Sequence, residues 1–188
     1  MKRLAIIFLL AISTTFLHGQ EPLVEKSVIN VQTNLLGLWV NYEARVDDDI
    51  SLRTEIGALT VITGGELWGD ENLFNFVYVP VITIEPRFYY NLERRQAKSK
   101  NIAGNSGDFF SIKSTLFPGM VLFSNHDAEA IRQLSILPSW GIRRHFAGRF
   151  NIEFGLGLGF IINLDPESDA SRAGAGGELN LRVGYSFY

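Results

Sequence analysis

The chain has no cysteine among its 188 residues. That excludes a disulfide framework, a thiolate metal site and a lipid anchor built on an N-terminal cysteine. It has no excess of basic charge either: 17 Lys and Arg stand against 20 Asp and Glu, and the formal net charge is −3. A nucleic-acid binder would show a basic patch, and none is legible. Nor, beyond the first residues, does any apolar run approach the eighteen or so residues that a membrane-spanning helix needs. Any membrane span must therefore be made of strands.

What is present begins with a leader. Lys2 and Arg3 precede an apolar run from Leu4 to Leu10, and small and polar residues then lead to Gly19-Gln20. This is the grammar of a cleaved secretory signal peptide. The expected division is a signal peptide over 1–19 and one domain over 20–188. The length suits a single domain.

The segment Phe150 to Asn163 sets the pattern for that domain. Phe150, Ile152, Phe154, Leu156, Leu158, Phe160 and Ile162 form an apolar row at period two, opposite Asn151, Glu153, Gly155, Gly157 and Gly159. Period two is strand geometry. A strand this long, apolar on one face and polar or small on the other, fits a transmembrane β-barrel. Similar alternation covers Ser27–Val46, Ile50–Ile62, Leu73–Asn91, Phe109–Ser124, Ile131–His145 and Glu178–Tyr188. The parity breaks at Leu36-Gly37. A tight turn there makes eight strands rather than seven, and closed bacterial barrels favour an even number. The expected fold is thus all-β, an eight-stranded antiparallel up-and-down transmembrane β-barrel. An interior of that size is filled by side chains rather than open as a pore.

A soluble carrier of the lipocalin kind would turn the apolar row inward. Three features favour the opposite. The polar face carries Gly155, Gly157 and Gly159, which suit a crowded interior. It also lacks the lysine-rich spacing of a soluble exterior. Aromatics gather near strand ends as an interface girdle would: Trp39, Tyr42, Phe74, Phe88, Tyr90, Phe146, Phe150, Tyr185 and Phe187. The inward row then holds a charge network of Glu43, Arg45, Arg53, Glu55, Glu85, Arg87, Lys113, Arg143, Glu153, Glu178 and Arg182. Hairpin register sets Glu43 opposite Arg53 across Asp47–Asp49, and Arg143 opposite Glu153 across Ala147–Arg149, because slipped registers oppose like charges. A mutually neutralised plug outweighs a proton path as the reading of this network.

Other candidates are weaker. Ser124, His126, Asp127 and Glu129 could form a hydrolytic group, although an ordinary polar loop explains them as well. The acidic residues Glu66, Asp70, Glu71, Asp127, Glu129, Asp165, Glu167 and Asp169 match no metal-loop spacing, and no metal or cofactor is expected. Arg94, Arg95, Lys98 and Lys100 form a basic connection that could meet anionic lipid. Pro80, Pro118 and Pro138 cannot donate to a ladder. They mark either bulges or a weakly paired wall, a possible lateral opening for an apolar molecule.

The stretches "NVQTNLLGL…NYEARV", "PRFYYNLERR" and "LRVGYSFY" resemble the small outer-membrane β-barrel proteins of the Bacteroidota. The resemblance implies a cell outer-membrane location, contact with outer-membrane lipid, and insertion by the barrel-assembly machinery that reads terminal aromatic strands. It also invites comparison with lipid A deacylase barrels, which use Ser, His and an acidic residue at the outer rim, though in His-x-Ser order. The leading expectation is a non-enzymatic barrel serving envelope integrity, adhesion or the binding or passage of a small apolar molecule. A rim hydrolase and a soluble secreted carrier are the alternatives.

Overall fold

The computed structural model of the protein describes residues 22–64, 74–165 and 172–188. The expected signal peptide and the loop residues Glu66, Asp70, Glu71, Glu167 and Asp169 lie outside them. The described chain is all-β with one short helix. In order it forms β1 (Ser27–Asn34), β2 (Gly37–Arg45), β3 (Ile50–Gly64), β4 (Phe74–Tyr89), α1 (Leu92–Ala97), β5 (Asp108–Pro118), β6 (Phe123–Ser124), β7 (Arg132–Phe146), β8 (Phe150–Asn163) and β9 (Ala173–Phe187). Consecutive strands pair antiparallel except at β6, which β5 passes over to pair with β7, and β9 returns to β1 from Ile29↔Phe187 to Thr33↔Val183. Eight strands so close a ring, and β6 is a two-residue ninth strand set on β4.

The turn between β1 and β2 consists of Leu35 and Leu36, with Asn34 paired to Gly37. The parity break therefore is a hairpin. Glu43 lies opposite Arg53 and Arg143 opposite Glu153 in the register. The Ala147–Arg149 turn needs positive φ at Ala147 and Gly148, +46° and +82°, a conformation that glycine adopts without steric cost.

Two strand boundaries and the facing of one aromatic differ from the sequence expectation. β9 begins at Ala173, five residues before Glu178, because its Gly- and Ala-rich start pairs with the bulky end of β8 from Leu158↔Gly177 to Ile162↔Ala173. Small residues read as loop, yet a Cβ at Gly176 would lie 2.6 Å from Ile161 Cγ1, so the strand needs them small there. The Phe109–Ser124 strand breaks after Pro118. Trp39 faces inward at 4% exposure instead of joining an outer girdle, since it shares parity with Asn41 and Glu43. Gly57 makes room for it: a Cβ there would come within 2.1 Å of the indole.

The two ends of the ring differ. One end carries α1 and the turns at Asp47–Asp49 and Ala147–Arg149, and here the connection from β4 to β5 folds back into the mouth. Leu92 packs with Val24, Tyr89 and Phe109 in a small apolar core, and Asn105 and Ser106 are buried beside it. At the far end the wall is uneven. The β1–β2 hairpin stops at the level of Leu59 and Val183, while β3 continues to Gly64 and β9 starts at Ala173.

Candidate functional site

Strand alternation sends one row of each strand into the lumen, and near the helix end that row is ionic. Glu153 is the hub. Its Oε1 accepts from Arg53 Nη1 at 2.7 Å and from Arg87 Nη2 at 2.8 Å, and its Oε2 accepts from Arg143 Nε at 2.8 Å. Glu43 is the second centre. It accepts from Arg143 Nη1 at 2.7 Å, and from Ser51, Tyr89 and Asn105 at 2.7, 2.8 and 2.8 Å. Arg53 also reaches Glu55, Arg182 Nη1 donates to Glu55 at 2.6 Å, Arg87 Nη2 donates to Glu85 at 2.8 Å, and Lys113 pairs with Glu178.

Five cations (Arg53, Arg87, Lys113, Arg143, Arg182) thus meet five carboxylates (Glu43, Glu55, Glu85, Glu153, Glu178). Arg143 and Glu43 are fully enclosed, Glu178 is half-buried, and the half-buried Arg45, expected in the network, makes no ion pair with these carboxylates. Although Glu43 and Arg53 are register partners, their side chains bond elsewhere, Glu43 to Arg143 and Arg53 to Glu153. The network runs across the lumen rather than along hairpins. Charges packed this tightly need every lone pair and proton occupied. Amides from β1, β2 and β8 help to supply the partners. Gln32 Oε1 accepts from Arg53 at 2.7 Å and from Asn41 at 3.1 Å, and Gln32 Nε2 donates to Asn151 at 2.9 Å. Two inward aromatics complete the layer, with Arg182 3.9 Å above Trp39 and Arg87 4.0 Å above Phe109.

Towards the far end the lumen turns apolar. Val77, Val79, Val81 and Leu137 are inward and buried, and no charge stands on β4 above Glu85 until the described strand ends. Here lies a cavity of about 260 Å³ lined by Val61, Val77, Val79, Pro80, Phe117 and Met120, with the Glu129–Ile131 segment and Gln133 across from them. A smaller chamber of about 140 Å³ adjoins it at Phe117 and is lined by Trp39, Val81 and the ion-paired Glu55, Lys113, Glu178 and Arg182.

The wall beside the larger cavity is not closed. β4 pairs with β5 as far as Ile82↔Leu116 and resumes on β6 at Tyr78↔Phe123. Between these rungs six residues, Phe117–Leu122, face three, Val79–Val81. Backbone groups alternate sides along a strand. Tyr78 O accepts from Leu122 N at 2.8 Å, so the nitrogen of Pro80 points to the same side, towards β5. Arg143 N donates to Gly107 O at 2.8 Å, so on β5 the odd-numbered groups face β7 and the nitrogen of Pro118 faces β4. Two prolines aim their missing donors at each other. Pro138 belongs to a different seam: it pairs with Ile112 on β5 and interrupts the ladder to β8 between Ile136↔Phe160 and Ser139↔Gly157.

Ser124 and His126 meet at the far end, with Ser124 Oγ 3.2 Å from His126 Nδ1. The same hydroxyl donates to His126 O at 2.8 Å, and Nδ1 lies 3.2 Å from Asn125 Oδ1. This is the geometry of a serine-closed turn. His145 sits near the helix end on Ser186, 2.7 Å away. Asp127 and Glu129 are exposed, and Asp165 accepts from Arg132 N at 2.7 Å. Among the described residues no three His, Asp or Glu side chains gather into a metal site, and no helix is long and apolar enough to cross a membrane. Arg94, Lys98 and Lys100 are exposed around α1, while Arg95 donates to Asn101 O at 2.8 Å. Comparison with family models, with curated proteins and with solved structures finds no match for this chain.

Sequence parity located the charged layer. It missed the amides Asn30, Gln32, Asn41 and Asn151 as members of that layer, although they lie on the same row. It also passed over the valine triplet of β4, whose inward parity with Glu85 was the available signal.

Proposed function

We propose that the mature chain is a non-enzymatic outer-membrane β-barrel, of the kind seen in small Bacteroidota envelope proteins, whose lumen is plugged at the helix end and hollow at the far end. One observation carries this reading, the inversion of polarity. Arg143, Glu43 and Glu153 are at most 1% exposed, whereas Ile56, Leu158, Phe160 and Leu179 are 66–72% exposed. A soluble monomer rarely presents a contiguous apolar belt of this kind, because leaving it in water forfeits roughly 25 cal/mol for each Å². In a lipid bilayer the same belt is the favoured surface, and outside the β4–β5 seam the ladder satisfies the backbone without water.

The burial pattern runs against a lipocalin-like carrier, whose apolar row would line the lumen. The ion-pair plug argues for a role in envelope integrity and small apolar-molecule binding rather than in free diffusion. Outer-membrane lipid would surround the belt, and the barrel-assembly machinery would insert the chain after removal of residues 1–19.

Cell fractionation with gel mobility before and after boiling tests the reading. A membrane-bound band whose mobility changes on heating is expected. A soluble protein indifferent to heating would overturn it.

A further inference from the structure

We propose that the far-end cavity is a binding site for one free, neutral hydrocarbon molecule, reached sideways from the bilayer through the seam between Pro80 and Pro118. The inference rests on the membrane reading above and adds to it a site, a ligand class and a route.

Size comes first. An apolar cavity of about 150 Å³ stays dry and takes up benzene. The cavity here is about 260 Å³, room for a single molecule somewhat larger than benzene. Its wall sets the chemistry. Val61, Val77, Val79, Phe117 and Met120 are apolar, Glu129 and Gln133 form its polar edge, and among the described residues no cation lines it. The two cations nearest the cavity are already paired, Lys113 with Glu178 and Arg182 with Glu55, so a carboxylate or phosphate head group would compete with those glutamates. A fatty acid or an anionic lipid is therefore disfavoured relative to a neutral molecule.

The route follows from the ladder. In a closed barrel, lateral entry requires a place where strands are not bonded. Pro80 and Pro118 remove both N–H groups that would close the rung between them, and the extra residues of the Phe117–Leu122 bulge hold the strands apart. Met120 and Leu122 on this bulge, and Phe123 just after it, are 55–60% exposed, so the outer lip of the opening is itself apolar. On its way in from the hydrocarbon layer a molecule would pass this apolar lip and the uncharged carbonyls of Pro80 and Pro118. The plug beneath stops it from passing straight through.

The test uses the full mature chain, methyl-labelled on Val and Leu, in perdeuterated dodecylphosphocholine with protonated n-decane. Intermolecular NOEs from decane to the methyls of Val77, Val79 and Val61 are expected, and Val79→Trp should abolish those to Val77 and Val61. Met120→Trp, on the exposed lip, should do the same should the first variant not fold. Decane contacts confined to outward methyls such as Val40 and Leu156 would overturn the site. A second sample, with protonated phosphatidylcholine and no decane, distinguishes a lipid tail from a free molecule. Cavity NOEs from the lipid tail alone would overturn the free-ligand assignment. Protonated detergent reports separately on the belt: absence of detergent contact at Val40 and Leu156 would remove the membrane reading, whatever decane does.

Discussion

The two halves of the lumen solve the same packing problem in opposite ways. Near the helix end, the interior is filled with arginine and glutamate that bond one another across the lumen, and the ring closes through β1 and β9. Near the far end, inward valines leave a void, β1 and β2 have already turned back, and one seam of the wall is unbonded. The first half specifies a register and tolerates little change. The second half has little to lose, and space to offer. A buried ion pair is not by itself a source of stability, because desolvation offsets much of the attraction. Its consequence is sensitivity: removing one partner strands the others.

That contrast should appear first at Glu153. Three arginines converge on it. Glu153→Gln keeps the volume but leaves their charge uncompensated, and should cost about 3–5 kcal/mol. Urea titration of the folded barrel in micelles measures it. Val79→Ala in the apolar half, where a void already adjoins the side chain, should cost only about 1 kcal/mol. Equal losses from the two substitutions would dissolve the distinction between the halves.

Next comes the pair that register does not suggest. Glu43 and Arg143 bond across the lumen at 2.7 Å. Glu43→Gln and Arg143→Met should each destabilise, and together should lose less than the sum, with a coupling of roughly 1–3 kcal/mol. Glu43 with Arg53 is the control, because those two are register partners without a bond between them. If the control couples more strongly than the pair, the network runs along hairpins after all.

Glycines offer a smaller effect of the same kind. A Cβ at Gly141 would come within 2.4 Å of Phe109 Cζ, so Gly141→Ala should cost about 1–3 kcal/mol through overpacking. At Gly174, on the far half of β9, a Cβ would meet nothing within 4 Å. Gly174→Ala should be neutral or should stabilise by up to about 1 kcal/mol through the unfolded chain. Thermal unfolding of both variants side by side reads the difference.

How much of this the sequence shows depends on range. Period-two alternation assigns a face to every residue, so the strands, the ring order and the inward arginines and glutamates are legible. The turn at Leu35-Leu36 is legible because parity breaks there. Partners across the lumen are not, since Arg143 and Glu43 are a hundred residues apart and their meeting depends on how the ring closes. Gly176 and Gly177 mislead because composition alone cannot separate a flexible loop from a strand that must stay thin beside Ile161 and Leu158. Trp39 misleads for a different reason: aromatic identity suggested an outer girdle, while its parity with Glu43 placed it inside.

The smallest effect concerns the seam, and it separates two causes of one gap. Pro80 and Pro118 each lack the donor that would close the rung, but the chain also bulges there, with Gly119 at φ +72°. Pro80→Val restores one donor aimed at the carbonyl of Pro118. A single added hydrogen bond contributes about 0.5–1.5 kcal/mol, so stability should rise by less than about 1 kcal/mol. Pro80→Val with Pro118→Val restores both donors, and the rung should then close. Amide hydrogen exchange reads this directly: slow exchange at both new amides, together with slower arrival of decane at Val79, is the expected outcome. Protection in the double variant would make the prolines the cause of the opening. Fast exchange at both amides would instead make the Gly119–Leu122 bulge the cause, and the port would then stay open whichever residues stood at 80 and 118.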